Sequence, residues 1–551
     1  MKNTVPAQLI GFPGDLQNFA QFLETCESLH SDKTACSIYD GERWRTINYN
    51  ELNSISQRIA SHLVRAGLRK GDHVALLGPA SLEWIVAFFA ILREGGVATP
   101  LDIKLTKSEL NRIMQHCEPT LILADATFRE AARESRHFEN RTAKVLILQD
   151  LWIQEELGTE LISIRNPDPV KSKDIAVLCY TSGTDGAPKG VEVRTETLLF
   201  QADALAQVTI ELEPHEAMLS TLPLNHLYGL SAGLLYSLRC GIEVCFAHEL
   251  SPKAIAFCLR ERDITQILAV PLYFRLVMNE IANQIRDRKG SQGEKFVQLL
   301  MWTTRILPWQ WYKKLVFKKI RIGLGRHVKR LICGGAVLDP SVYDFFRAIG
   351  VPVFVGYGLT ETGPVIAVNV QKQDRRGSVG RPLPGVELKI DRESPDDLTG
   401  EILTRGAHVT AGYYKKPELT ADLLTSDGWL RTGDYGYIDK DGYLFVTGRK
   451  KSMIVLSSGK KVQPEEVETV IGQSPKVRLV CVVGIKSKDG LMDETVTAVV
   501  LPTQAELDRT SGNPALLQKE LETEIKGLCV DLAAFKRPSK VIVRSQPFVM
   551  T

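Results

Sequence analysis

The chain has 551 residues, 44% of them hydrophobic and 24% charged, with 68 Lys and Arg against 65 Asp and Glu. That length is more than one hydrophobic core serves, so two or more domains are expected, and the balanced charge leaves no footprint for nucleic acid. Ten cysteines, none in C-x-x-C spacing, argue against a zinc or redox pair and are read as reduced thiols of a cytoplasmic protein.

Residues 1–17 lack the basic and apolar regions of a secretory signal, so no export is expected. The apolar run 84–92 is far short of the ~20 residues that cross a bilayer and reads as a buried helix. From 72 to 150, segments 73–78, 82–93, 97–101, 107–116, 120–124, 128–134 and 145–149 are apolar and amphipathic by turns. Such alternation predicts α/β layers around a largely parallel sheet. It resumes from 175 to about 370, then yields near 384–401 to short strands of a β-rich subdomain.

The basic cluster Arg449-Lys450-Lys451, between strands expected at 443–447 and 453–456, marks a further boundary. Beyond it lie strands at 479–484 and 495–501, then a helix capped by Asn513 with Pro514 in its first turn. Leu517, Leu521, Ile525 and Leu528 give that helix one apolar face. The expected fold class is α/β: a large N-terminal domain of several subdomains over 1–450, plus a small mobile α+β domain over 451–551.

Segment 286–330 carries thirteen basic residues against Asp287 and Glu294, a net +11, with Trp302, Trp309, Trp311, Tyr312 and Phe317 interleaved. The mixture suits an anionic membrane surface or an anionic ligand, and equally a solvated helix face over an aromatic core side.

Residues 180–190 read Tyr-Thr-Ser-Gly-Thr-Asp-Gly-Ala-Pro-Lys-Gly. Gly183 and Gly186 allow backbone to approach phosphate oxygens, the hydroxyls of Thr181, Ser182 and Thr184 donate, and Lys189 adds a point charge. A Walker-type loop needs a helix straight after its lysine; here Pro188 precedes Lys189 and a β-prone run follows, so this loop joins two strands. Gly334-Gly335-Ala336 closes an apolar run where a flat ring could lie against bare backbone, and Gly356-Tyr357-Gly358-Leu359-Thr360-Glu361-Thr362 offers an aromatic face, a hydroxyl and a carboxylate in one turn.

In this order the motifs resemble those of the adenylate-forming superfamily of acyl-CoA synthetases, luciferases and adenylation domains, over nearly the whole chain. The resemblance implies that Thr181, Ser182, Gly183, Thr184 and Lys189 hold the phosphates of ATP, and that Gly334, Gly335 and Ala336 flank the adenine. It implies that Tyr357, between Gly356 and Gly358, stacks on the ring, that Thr360 bonds the α-phosphate, and that Glu361 with Thr184 binds magnesium. Asp434 and Arg449 match the ribose-binding pair and Lys451 the hinge between half-reactions. Ser458, Gly459 and Lys460 match the turn lining the pantetheine tunnel of coenzyme A. His226 matches the position shaping the carboxylate pocket, with Lys189, Thr360, Glu361 and Lys451 as its catalytic companions. Residues 49–52 and 95–102 match structural landmarks.

No aspartate occurs from 222 to 233 to pair with a substrate ammonium, which disfavours an amino acid. The resemblance is nearest to AMP-forming fatty acyl-CoA synthetases: a medium- or long-chain acid becomes an acyl-adenylate, then a thioester. Alternatives are a fatty acyl-AMP ligase serving a carrier protein, for whose usual insertion 377–400 leaves no room, and a nucleotide- or lipid-binding scaffold. Two departures stand out. Asp185 replaces the usual threonine or serine beside a triphosphate, a repulsive neighbour. The family's closing lysine would fall roughly four residues beyond Thr551, with Lys536 and Lys540 too early to match it. On that spacing, residues 1–551 are expected to adenylate slowly yet to convert supplied acyl-adenylate and coenzyme A.

Overall fold

The computed structural model describes residues 16–138, 142–156, 169–181, 188–208, 212–213, 215–247, 249, 251–289, 317–370, 373–456, 460–486, 494–510, 513–546 and 548. Ser182, Gly183, Thr184, Asp185, Ser458, Gly459 and most of the basic-aromatic segment lie outside them. The chain packs as two compact units, Met1–Glu387 with Thr404–Leu430, and Leu388–Leu403 with Arg431–Thr551.

The first unit is built on two mixed sheets. One runs Gly412–Tyr413, Lys189–Arg194, Ile175–Thr181, Val97–Leu101, His73–Leu77, Leu121–Ala124, Lys144–Ile147; it is parallel from Ile175–Thr181 onward and antiparallel at the opposite edge. The other has nine strands, with Val353–Gly358, Arg330–Cys333, Gln266–Ala269, Ala217–Ser220 and Glu243–Ala247 as its parallel centre. Val365–Val368 and Arg381–Pro382 extend it antiparallel. The sheet centres are therefore parallel, as the alternation predicts, and both sheets turn antiparallel where the glycine-rich motifs lie.

Leu82–Arg93 is a helix capped by Ser81 and buried along almost its whole length, as its unbroken apolar run predicts. Trp84 and Phe88 stack within it, and truncating a ring like Phe88 to Ala costs about 3–5 kcal/mol. The 145–149 run divides: the strand stops at Ile147 and Leu148 opens the helix Leu148–Glu156. Among the described residues no helix is long and apolar enough to cross a membrane.

The second unit holds most of an antiparallel sheet of Glu387–Asp391, Gly400–Arg405, Leu430–Ile438 and Leu444–Arg449, with the three strands Val477–Lys486, Glu494–Pro502 and Lys540–Val543. Asn513 caps Pro514–Leu528 by accepting from the Leu516 N–H, and Leu517, Leu521 and Ile525 form its buried face. Leu528 is half-buried, and Cys529 takes the next buried place.

Within the basic segment three charges have internal work. Arg330 is buried against Glu216 at 2.7 Å, Lys329 meets Glu213 at 2.8 Å, and Arg321 donates to the Gly350 carbonyl at 2.7 Å. Phe317 is core. Among the described residues Phe317 alone fits the aromatic core side of the helix-face alternative; residues 290–316 lie outside them.

Candidate active site

The strands Ile175–Thr181 and Lys189–Arg194 pair antiparallel with Thr181 opposite Lys189, so the phosphate-type loop bridges two strands as expected. Lys189 thus stands at the first rung of a hairpin, its backbone fixed by the ladder. Gly412–Tyr413 joins the same edge, Tyr413 opposite Val191. The Lys189 ammonium lies 5.7 Å from the centre of the Tyr413 ring, within cation–π range, and the Tyr413 hydroxyl donates to Glu361 Oε1 at 2.6 Å. Burial, then the Glu361 charge, push that hydroxyl far above its ordinary range, so it stays a donor. One tyrosine therefore bridges the lysine and the carboxylate of two motifs 172 positions apart, a separation fixed by their numbers.

Glu361 sits on the short turn Thr360–Thr362, which is held from three sides. The Thr410 N–H donates to the Glu361 carbonyl at 3.0 Å. The Thr362 hydroxyl closes the turn on the Leu359 and Pro364 carbonyls, both at 2.9 Å. Gln201, wholly buried on the helix Thr195–Val208, donates to Thr362 O at 3.0 Å and Val365 O at 2.8 Å and accepts from Val365 N–H at 3.2 Å. A buried amide with every group used rigidifies what it touches. Gly358 just before the turn has no room for a side chain, since a Cβ would fall 1.7 Å from the Pro364 carbonyl oxygen. Tyr357 lies opposite Ala367 and is half-buried, as are Thr360 and Glu361.

Gly334 follows the strand Arg330–Cys333, buried, while Gly335 and Ala336 are exposed. A Cβ on Gly334 would lie 2.9 Å from the Tyr228 ring, so the glycine lets Tyr228 close over the strand end. The Tyr228 hydroxyl is buried without a partner. His226 stands two residues before it, exposed, on the turn that opens the π-helical segment Gly229–Leu235, its N–H donating to the Pro223 carbonyl at 3.2 Å and its own carbonyl accepting from the Leu230 N–H at 3.0 Å. Such π turns are frequent at functional sites.

In the second unit Asp434 and Arg449 are cross-strand partners, Arg449 Nε reaching Asp434 Oδ1 at 3.2 Å. The Asp434 side chain is 5% exposed and that of Arg449 68%, so the aspartate is buried and the arginine faces solvent. Lys450 pairs with Glu401 at 3.0 Å, Lys451 stands exposed in the turn after the strand, and exposed Lys460 lies 4.8 Å from the Phe535 ring centre.

Glu361 belongs to no metal cage: among the described residues no group of three His, Cys, Asp or Glu could hold an ion. That donor set fits a magnesium ion carried mainly by phosphate oxygens and water, with one protein carboxylate. Thr184, the other expected contact, lies outside the described residues. Sequence reasoning missed Tyr413 and Gln201. The Gly412-Tyr413-Tyr414 triplet was the available signal for the first; a glutamine inside an apolar helix was the signal for the second.

Residues 23–414 match the AMP-binding enzyme family, and the chain belongs to it. A long-chain-fatty-acid–CoA ligase of Bacillus subtilis is 26% identical, the match covering 92% of this chain and 89% of that protein. An indoleacetate–CoA ligase of Aromatoleum aromaticum is 29% identical over 88% of each. Among solved structures, ATP-bound MatB from Rhodopseudomonas palustris superposes with a TM-score of 0.74 at 27% identity, covering 96% of this chain and 95% of that one. O-succinylbenzoate coenzyme A synthetase from Bacillus subtilis, in complex with ATP and magnesium, gives 0.72 at 25% identity, with 96% of each covered.

Proposed function

We propose that the chain is an AMP-forming acid–CoA ligase and that its acid is a medium- or long-chain fatty acid. The Lys189–Tyr413–Glu361 bridge carries the reading, because it joins the cation of one sheet's edge to the carboxylate on a turn that follows a strand of the other. In the first half-reaction a carboxylate oxygen of the acid bonds to the α-phosphorus of ATP as the bond to pyrophosphate breaks. Negative charge gathers on phosphate oxygens, where Lys189 and the Thr360 hydroxyl would meet it in place. Magnesium held at Glu361 would neutralise part of the triphosphate charge. In the second half-reaction the thiol sulfur of coenzyme A would bond to the acyl carbon as the acyl C–O bond breaks, AMP leaving with that bond's electron pair and the thiol proton passing to solvent or base. A turn of the 451–551 domain about Lys451 between the halves, and ribose contacts from Asp434 and Arg449, belong to the same proposal.

Relatives named for long-chain fatty acids support the acid; one named for indoleacetate marks the competing aromatic class. Peripheral contact with anionic lipid rests on what remains of the basic segment once Arg321, Lys329 and Arg330 are discounted. The test is AMP release from ATP with C8 to C18 acids and with indoleacetate, each with and without coenzyme A. Release that requires coenzyme A and favours alkanoates is the expected outcome. Preference for the aromatic acid overturns the fatty acid, and release that ignores coenzyme A but needs a carrier protein overturns the acceptor.

A further inference from the structure

Resting on the acid–CoA ligase reading, the geometry points to an acyl pocket with a polar floor: Gln266 accepts a hydrogen bond from a neutral donor, such as a hydroxyl, at the far end of the acyl chain. A cavity of about 70 Å³ lies between the sheet and its covering helices, lined by Ala232, Tyr236, Gln266, Ile332, Phe354 and Val368 among others. Strand periodicity connects it to the site. Ile332 precedes Gly334 by two and Phe354 precedes Gly356 by two, so each pair shares one face of the sheet. Val368 is the cross-strand partner of Gly356, and its Cγ2 would lie 3.9 Å from a Cβ there. Tyr228 covers Gly334, but the bare backbone of Gly356 leaves the neighbouring strand's face open, and the track continues to the row of Gln266 and Arg330, which are register partners. Four residues of parallel strand span about 13 Å, the reach of a medium-chain acid.

The floor is polar by construction. Gln266 is 0% exposed; its Nε2 donates to Glu216 Oε2 at 3.2 Å and its Oε1 has no partner. The other polar groups there are engaged. Glu216 also accepts from Arg330 at 2.7 Å and from the Thr265 hydroxyl, while Asn369 donates to Ser378 O at 2.6 Å and accepts from Arg375 N–H at 3.2 Å. The arginine and glutamate already neutralise each other, so a second carboxylate arriving here would be unpaired, whereas a hydroxyl supplies the one missing donor. Water alone is the competing occupant, since one water needs only about 10–15 Å³ by this measure.

The experiment compares decanoate, 10-hydroxydecanoate and decanedioate as substrates of the whole protein, by coenzyme A-dependent AMP release and by thermal shift. Expected is kcat/KM about ten-fold higher for the hydroxy acid than for decanoate, with decanedioate poorest. Gln266→Leu removes the advantage of the hydroxy acid while decanoate is retained. Ala232→Leu, which fills the cavity from the helix side, lowers use of all three but spares butyrate, and so reports the track even if Gln266→Leu folds poorly. Equal use of decanoate and its hydroxy form, or a ratio unchanged by Gln266→Leu in folded protein, overturns the polar floor and assigns the cavity to water. AMP release with indoleacetate but with none of the alkanoic acids instead overturns the fatty-acid reading beneath it.

Discussion

The Lys189–Tyr413–Glu361 bridge ties two neighbouring strands to a turn, the Asp434–Arg449 pair ties two strands of one hairpin, and they are built for different work. The first is held by buried groups with every hydrogen bond used: Gln201 from behind, Thr362 within the turn, and the Thr410 N–H at its side. In the second a buried carboxylate meets an arginine that is 68% exposed. Fixed groups suit a transition state, where any reorganisation adds to the barrier. An exposed arginine suits a contact that forms and releases, and its ion pair with Asp434 contributes little to stability in water.

Breaking the fixed region should have the largest effect. Lys189→Ala and Glu361→Ala are each expected to slow acid-dependent pyrophosphate release by ~10²-fold or more, about 2.7 kcal/mol of transition-state stabilisation. Unchanged release in both variants would remove the assignment of this edge to the phosphates.

Acidification comes next, because His408 belongs to the segment that carries Thr410 and Tyr413. Burial pushes His408 down to about 4, and burial does the same to His30 in the first unit's core. Both must be neutral when folded, whereas the unfolded chain takes up protons near pH 6.5. Stability is therefore full above pH 6.5 and is lost as pH falls toward 4, by about 2 kcal/mol for each group at pH 5. Chemical denaturation between pH 7.5 and 5 should show the loss, and His408→Gln should lose less over that interval. An equal slope in the variant would place the proton uptake elsewhere.

Tyr413→Phe sharpens the comparison, since it keeps the ring beside Lys189 and removes only the donor to Glu361. About ten-fold lower kcat for adenylation is expected with little change in melting temperature. A wild-type rate would leave Tyr413 a packing residue.

The Asp434–Arg449 pair should respond least. Arg449→Ala is expected to raise the KM for ATP a few-fold with kcat nearly unchanged, the mark of uniform binding. A loss as large as that of Glu361→Ala would show that this region too is fixed in the reacting state.

Much of this was legible in the chain order of residues. The strand on either side of the phosphate-type loop, the buried helix at 84–92, the Asn513 cap and the apolar face of Leu517, Leu521 and Ile525 all follow from local rules, since periodicity, capping and turn chemistry act over a few residues. So did the chemistry of each motif, because a glycine, a hydroxyl or a carboxylate carries its capability wherever it is placed. Pairing did not follow. That Tyr413 lies on the edge of Lys189–Arg194 and reaches Glu361, that Gln201 pins the Thr360–Thr362 turn from a helix 161 residues earlier than Thr362, and that Gln266 ends with one oxygen unpartnered beside a cavity are outcomes of register and packing. The reason is physical: a strand's neighbours are chosen by backbone hydrogen bonds and the burial of a whole sheet face, and those terms are summed over residues far apart in sequence.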